Sequence, residues 1–330
     1  MKIFKFTKGD FFGGVTAGIV ALPLALAFGV QSGLGAAAGL YGAIFLGLLA
    51  AIFGGTPSQI SGPTGPMTVV SAATVALFIS QSTDGSVASV MGAIIASFVL
   101  AGLFQVLMGM LKIGSLIKFI PYPVISGFMS GIGVIIILLQ LFPAIGQASP
   151  QKTIDVVKEI VPALQNINPW AILYAGLTIL IIYLFPKITK AVPSTLVALL
   201  AVTGLSIVLN NSVPIIGDIP QGLPPIHLEG IIAIKPEFYQ MILEAAATLA
   251  ALGAIDSLLT SVVADNVTKT KHNSNKELIG QGIGNSVAGI FGGLPGAGAT
   301  MRTLVNIRSG GRNRISGVIH ALVLVIILFG

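Results

Sequence analysis

Residues 61–70 read SGPTGPMTVV, which puts two glycines and two prolines into the five positions 62–66, between long apolar runs. Proline has no N–H to give to a helix and glycine loses the most entropy on joining one, so no helix runs through this stretch. Residues 292–305, GGLPGAGATMRTLV, repeat the pattern. In each case a helix is expected to begin only after the break, at about residues 66 and 298. The first turn of such a helix has N–H groups without intrahelical partners, and the helix dipole adds partial positive charge there. Ends of this kind attract anions.

The surrounding composition decides what the break is embedded in. Of 330 residues, 54% are hydrophobic and 8% charged, where a soluble domain carries about 25%. The mean hydropathy is +0.97. Apolar runs of roughly 20 residues recur throughout, long enough to cross a hydrocarbon core about 30 Å thick. Alternating strand patterns of a membrane barrel are absent. The chain is therefore expected to be an all-α polytopic membrane protein. It has no cysteine, which excludes disulfides, thiolate metal sites and thiol nucleophiles. The formal charge of +6 suggests a nucleic-acid partner only in a soluble protein, and none is expected here.

The apolar pattern predicts spans at 10–30, 34–54, 66–80 (short), 86–110, 121–142, 168–186, 192–210, 237–263, 276–292, 298–308 (short) and 313–330. The first resembles a signal peptide only superficially, since it continues into further spans. Residues 151–167, QKTIDVVKEIVPALQNI, combine helical apolar spacing with mixed charge and read as a helix on the membrane surface. Five prolines mark 211–236 as an extracellular linker. With the N-terminus in the cytoplasm, Lys2, Lys5, Lys8, Lys112, Lys118, Lys187, Lys190, Lys269, Lys271, Lys276, Arg302, Arg308, Arg312 and Arg314 fall inside, and only Lys152, Lys158 and Lys235 outside. That excess satisfies the positive-inside rule only if both short segments count as crossings.

The spans also repeat. Asp10 and Glu237, Gly65 and Gly298, and Ser86 and Arg312 open corresponding segments at offsets of 227, 233 and 226. A shift of seven crossings, an odd number, inserts the second unit upside down. The expected fold is a 7+7 inverted repeat: residues 1–210 form the first unit, spans one to seven, and 237–330 form part of the second, spans eight to eleven. About 11 of 14 spans are present on this count, with three further crossings expected beyond residue 330. The two half-helices should meet start to start at mid-membrane, where repeat-built transporters place their substrate.

Three stretches carry a family resemblance: LPLALAFGVQSGLGAAAGLYGAIF (22–45), GGTPSQISGPTGPMTVVS (54–71) and NKELIGQGIGNSVAGIFGGLPGAGATMRTLVNIRSGGR (275–312). Together they resemble the matching segments of the SulP anion transporters, the sulfate permease family. DSLLTSVVADNVTKTKHNSNKEL (256–278) is most similar to its sodium-dependent bicarbonate transporters of cyanobacteria. The resemblance implies a core of spans one to four and eight to eleven, a gate of spans five to seven and twelve to fourteen, and elevator-like alternating access, in a bacterial, specifically cyanobacterial, plasma-membrane protein. It also implies a homodimer in the full-length form, and a cytoplasmic STAS domain that would follow the missing gate helices.

Asp256 lies well inside the eighth span with Thr260 one turn on, along the same face. A carboxylate at that depth costs several kcal/mol unless it is paired, protonated or bound to a cation, which makes it a functional candidate. Carboxylate, hydroxyls and freed carbonyls are hard oxygen ligands, so Asp256, Thr260, Gly298 and Thr300 form a candidate sodium site; the alternative is a buried hydrogen-bonding Asp256 or its pairing with an arginine. The candidate anion site comprises Pro66, Met67, Thr68, Val69, Ala299, Thr300, Met301 and Arg302. Its donors are expected to be the backbone N–H groups of 66–69 and 299–301 with the hydroxyls of Thr68 and Thr300. Arg302 either holds the anion or snorkels to the cytoplasm. Gln31 and Tyr41 are weaker candidates for lining the cavity, and Glu244 reads as interfacial.

Gly14-Val-Thr-Ala-Gly18, Gly35-Ala-Ala-Ala-Gly39 and Gly127-Phe-Met-Ser-Gly131 match a close helix-packing pattern. His227, His272 and His320 are scattered, and there is no phosphate-binding GxxxxGK[ST] loop. No enzyme chemistry and no cofactor are expected, beyond Na+ as a coupling ion. The expected function is bicarbonate import by sodium symport. The alternatives are proton-coupled movement of sulfate or another inorganic anion, and an anion channel.

Overall fold

The computed structural model describes residues 6–82, 85–119, 121–150, 153–189, 194–215, 222 and 234–329. Most of these are helical. In chain order the helices are α1 (Lys8–Gln31), α2 (Ala36–Phe53), α3 (Gly65–Ser80), α4 (Val87–Met110), α5 (Tyr122–Ala144), α6 (Thr153–Ala163), α7 (Pro169–Ile188), α8 (Ser194–Leu209), α9 (Tyr239–Thr268), α10 (Ser274–Ile290), α11 (Thr300–Arg308) and α12 (Arg314–Phe329). Two strands of two residues, β1 (Ser61–Gly62) and β2 (Ala297–Gly298), precede α3 and α11. The observed helices follow the expected spans closely, and the expected surface helix is α6. The linker over 211–236 lies mostly outside the described residues.

Local chemistry sets the helix boundaries. Thr7 and Asp10 cap α1 reciprocally: the Thr7 side chain accepts from Asp10 N–H, and Asp10 accepts from Thr7 N–H. Asn273 caps α10 by accepting from Lys276 N–H. Asn168 caps α7, accepting from Trp170 N–H at 3.0 Å. Among the described residues, five helical stretches are long and apolar enough to cross a membrane: 8–31, 36–53, 87–110, 169–188 and 236–268. The helices α3 and α12 are apolar but shorter.

The chain divides into two compact units, Met1–Ser126 with Gly217–Gly330, and Gly127–Ile216. In the first, α10 lies along α4 and α2, α9 along α4, and α1 along α12 and α2. Among the described residues its apolar interior has two larger centres, beside a small cluster of Ala254, Leu258 and Leu278. One joins Met67, Val75 and Phe78 of α3 to Ile94 and Phe98 of α4 and Leu249 of α9. The other joins Ala21 and Ala25 of α1 to Leu40 and Ile44 of α2 and Leu324 and Leu328 of α12. Close approach depends on glycine: a Cβ at Gly39 would lie 1.8 Å from the Ala25 carbonyl oxygen, so α1 and α2 touch backbone to backbone. Gly14 similarly faces the Ser316 carbonyl of α12, whereas Gly127 and Gly131 of the other unit face open space. That second unit packs α7 against α8, and Asn211 donates to the Tyr174 hydroxyl at 3.0 Å.

The unit of residues 1–126 and 217–330 holds both breaks, and here the structure adds what periodicity did not show. β1 pairs with β2 antiparallel, Ser61 opposite Gly298 and Gly62 opposite Ala297. Because the strands run in opposite directions and each feeds a helix within three residues, α3 and α11 start beside one another and head apart. Non-helical backbone inside a membrane must satisfy its own polar groups, and this short ladder pairs part of them.

Candidate functional site

The stripe of α9 that faces the strand pair is polar. Asp256 is 3% exposed, and its Oδ2 accepts from the Thr64 hydroxyl at 2.8 Å. Thr64 is the residue before α3, so the carboxylate is tied to the start of the first half-helix. One turn along α9, Thr260 donates to the Gly298 carbonyl at 2.8 Å and lies 2.7 Å, oxygen to oxygen, from the Thr300 hydroxyl. Ser257, beside Asp256, accepts from Gly298 N–H at 3.1 Å. Thr260, Gly298 and Thr300 therefore touch one another, and Asp256 lies one turn from Thr260 on the same face of α9. The donor set of one carboxylate, two hydroxyls and one carbonyl is all hard oxygen, which fits a small hard cation.

The two half-helix starts differ from expectation in which N–H groups are free. Thr68 N–H and the Thr68 hydroxyl both donate to the Thr64 carbonyl, each at 2.8 Å. Val69 N–H already belongs to the helical ladder, and Pro66 has none to offer. At the second start Ala299 N–H donates to the Ile60 carbonyl at 2.8 Å, as an extension of the strand pair. The N–H groups left without helical partners are those of Gly65 and Met67 in α3, and of Thr300, Met301 and Arg302 in α11. The expected donor set of 66–69 and 299–301 is corrected accordingly. The physical reason is that a helix consumes N–H groups from its fourth residue on, and the strand pair consumes one more.

Arg302 does not snorkel. It is 2% exposed, and its guanidinium reaches back across the site to donate to the Pro63 carbonyl. A Cβ on Gly62, where φ is +154°, would fall 2.7 Å from its Nη1, so glycine there gives the arginine its room. Arg302 and Asp256 act on each other electrostatically, yet they form no ion pair. Met301 is exposed, and Met67 is buried against the α4 and α9 packing. Tyr41 sits in the apolar cluster of α1, α2 and α12, while Gln31 is half-buried with its amide nitrogen lacking a protein partner. Glu244 is exposed and accepts from Gln240 at 2.8 Å, away from the site.

Several residues that hold this arrangement were not singled out by sequence. Thr303 accepts from Ile60 N–H at 3.0 Å, and Asn306 donates to the Ser58 carbonyl at 2.9 Å, so α11 is fastened to the loop before β1. Gln59 accepts from Ser261 at 2.9 Å and donates to Glu277 at 2.8 Å. Asn285 brackets Gly296, donating to its carbonyl and accepting from its N–H. The available signal was a concentration of polar side chains, at 56–61 and at 281–286, in otherwise apolar surroundings. His272 is bound locally, 2.7 Å from Asp265 and 2.9 Å from Ser274, at the turn between α9 and α10.

A family model, the Sulfate permease family, matches residues 7–330. The chain is 49% identical to the "Bicarbonate transporter BicA" of Picosynechococcus sp., over 99% of this chain and 58% of that protein. It is 50% identical to the protein of the same name from Synechocystis sp., over 99% of this chain and 57% of that one. The chain thus spans just under three fifths of the length of these relatives. Its fold matches the solved transmembrane domain of a cyanobacterial bicarbonate transporter BicA with a TM-score of 0.90 and 49% identity, covering 99% of this chain and 84% of that one. On these grounds the chain belongs to the sulfate permease family.

Proposed function

We propose that this protein imports bicarbonate together with sodium, by elevator-like alternating access, in the plasma membrane of a cyanobacterium with its N-terminus in the cytoplasm. The observation that carries the reading is the antiparallel β1–β2 pair, which sets two helix starts side by side over the Asp256–Thr260 stripe. In this reading bicarbonate sits between those starts, taking hydrogen bonds from the free N–H groups of Gly65, Met67, Thr300 and Met301. Arg302 supplies the fixed positive charge beside it. Sodium takes the oxygens of Asp256, Thr260, Gly298 and Thr300, with the Thr260 hydroxyl turning from the Gly298 carbonyl to present its lone pairs. Each ion then has a protein charge of opposite sign, and each favours the other by proximity. Reciprocity of binding follows: sodium raises bicarbonate affinity by the same factor that bicarbonate raises sodium affinity.

The identity to two proteins named as bicarbonate transporters supports that anion over others. Backbone N–H groups bind any small oxyanion, and the family's name keeps sulfate, moved with protons through Asp256, as the second reading. Uptake of labelled bicarbonate and of labelled sulfate into proteoliposomes, with and without a sodium gradient, separates them. Saturable bicarbonate uptake that requires sodium is the expected result. Sulfate uptake driven by a proton gradient supports the second reading, and flux that neither saturates nor needs a cation indicates a channel.

A further inference from the structure

Glu277 opens α10 and is 1% exposed, a buried carboxylate with no cationic partner within ion-pair distance among the described residues. Such a charge persists in an apolar protein only if hydrogen bonds replace its hydration. It has four. Oε2 accepts from Gly55 N–H at 2.7 Å and Thr56 N–H at 2.8 Å, and Oε1 accepts from the side-chain amides of Gln59 and Gln281, both at 2.8 Å. Every partner is a neutral donor, and three of the four lie on the loop that leads from α2 into β1.

That donor pattern has a directional consequence. A glutamine amide has one donating end and one accepting end, and Glu277 can take only the donating end of Gln59. The Gln59 carbonyl oxygen is thereby turned to α9, where it accepts from Ser261 at 2.9 Å, next to Thr260. In that pose the amide lies flat against Gly298: a Cβ there would come within 2.3 Å of Gln59 Nε2. Gly298 in turn gives its carbonyl to Thr260 and its N–H to Ser257.

We propose that Glu277 is a positioning residue for the cation site, acting through the orientation of Gln59 to fix the Gly298 carbonyl against α9. The proposal rests on the reading of Asp256, Thr260, Gly298 and Thr300 as that site, and it adds a residue that touches neither ion. Glu277→Gln keeps the shape but offers one accepting oxygen to four donors, so one pair of donors faces an NH2 group. Gln59 loses its reason to point at Ser261. Combining it with Gln59→Glu reverses the direction of the bond: Gln at 277 then donates to Glu at 59, which still accepts from Ser261. Gln281, whose Oε1 has no partner, can turn to accept the remaining N–H.

The test is sodium-dependent bicarbonate uptake in proteoliposomes for the wild type, E277Q, and the pair Q59E/E277Q, with the melting temperature of each measured in parallel. E277Q is expected to raise the sodium half-saturation at least about tenfold, with the maximal rate at saturating sodium changing much less, and the pair to recover most of that loss. An unchanged half-saturation in E277Q, or a loss that the pair fails to recover, overturns the proposal. A lowered melting temperature with unchanged half-saturation shows a purely structural role and overturns it too. Should E277Q not be recovered folded, Gln59→Met cuts the same link and is expected to raise the half-saturation severalfold; no change there overturns the proposal. Should wild-type uptake prove independent of sodium, the cation reading alone fails. The positioning role is then judged by the bicarbonate half-saturation of the same variants, which must shift in E277Q and return in the pair.

Discussion

The starts of α3 and α11 occupy related positions but are built differently. The first begins a 16-residue apolar helix whose early hydroxyl, Thr68, is spent on its own Thr64 carbonyl. A side chain ties it to the rest of the site through Thr64, which donates to Asp256. The second begins a nine-residue helix in which Arg302, Thr303 and Asn306 are all buried and all bond across to residues 58–63. One start is held by apolar packing and the other by directed polar bonds. An apolar face packs against many neighbours with small differences in energy, whereas a buried hydrogen bond tolerates little misplacement. The second start is therefore the one that fixes the register of the pair.

The largest effect expected from breaking this arrangement is at the junction itself. Ala299→Leu places a branched side chain beside the strand pair, where Ala299 is 7% exposed, and should abolish uptake by protein that still reaches the membrane. Near-normal uptake by this variant would mean that the anion binds elsewhere. Asp256→Asn comes next. The amide keeps the shape and the Thr64 contact but removes the charge that balances a cation, so sodium dependence should be lost while the fold persists. An unchanged sodium half-saturation would reject the assignment.

The smallest effects compare the two starts directly. Thr303→Val leaves Ile60 N–H buried without a partner, which should cost about 1 to 3 kcal/mol of stability. Thr68→Val removes a donor from a carbonyl that Thr68 N–H still satisfies, and should cost no more than about 0.5 kcal/mol. Melting temperatures of the two purified variants give the order. Equal losses would show that the two starts are held alike.

Both breaks were legible because glycine and proline act on the residues that carry them. Helix lengths were legible for the same kind of reason: an apolar run reports its own extent. The donor set at the half-helix starts was only half legible. Which N–H groups stay free depends on Ala299 donating to Ile60, 239 positions away in the chain, and on Thr68 turning back on Thr64. Arg302 was ambiguous for a related reason. Its long side chain can reach either toward water or toward the site, and only the space left by Gly62 and the carbonyl of Pro63 decides between them.

That this is a membrane-spanning helical protein, where its helices lie, where two of them are broken, and that a carboxylate is buried in the ninth helix could all be read from the order of the residues. These follow from hydrophobicity, from backbone restrictions and from spacing within one helix, all properties of neighbouring residues. It took the folded chain to show that the two breaks pair as antiparallel strands, that Arg302 faces inward, and that Gln59 donates to Glu277. Those are hydrogen bonds between residues some 190 to 240 positions apart, and their partners are chosen by the packing of α1, α2, α4, α9 and α10, which no local pattern encodes.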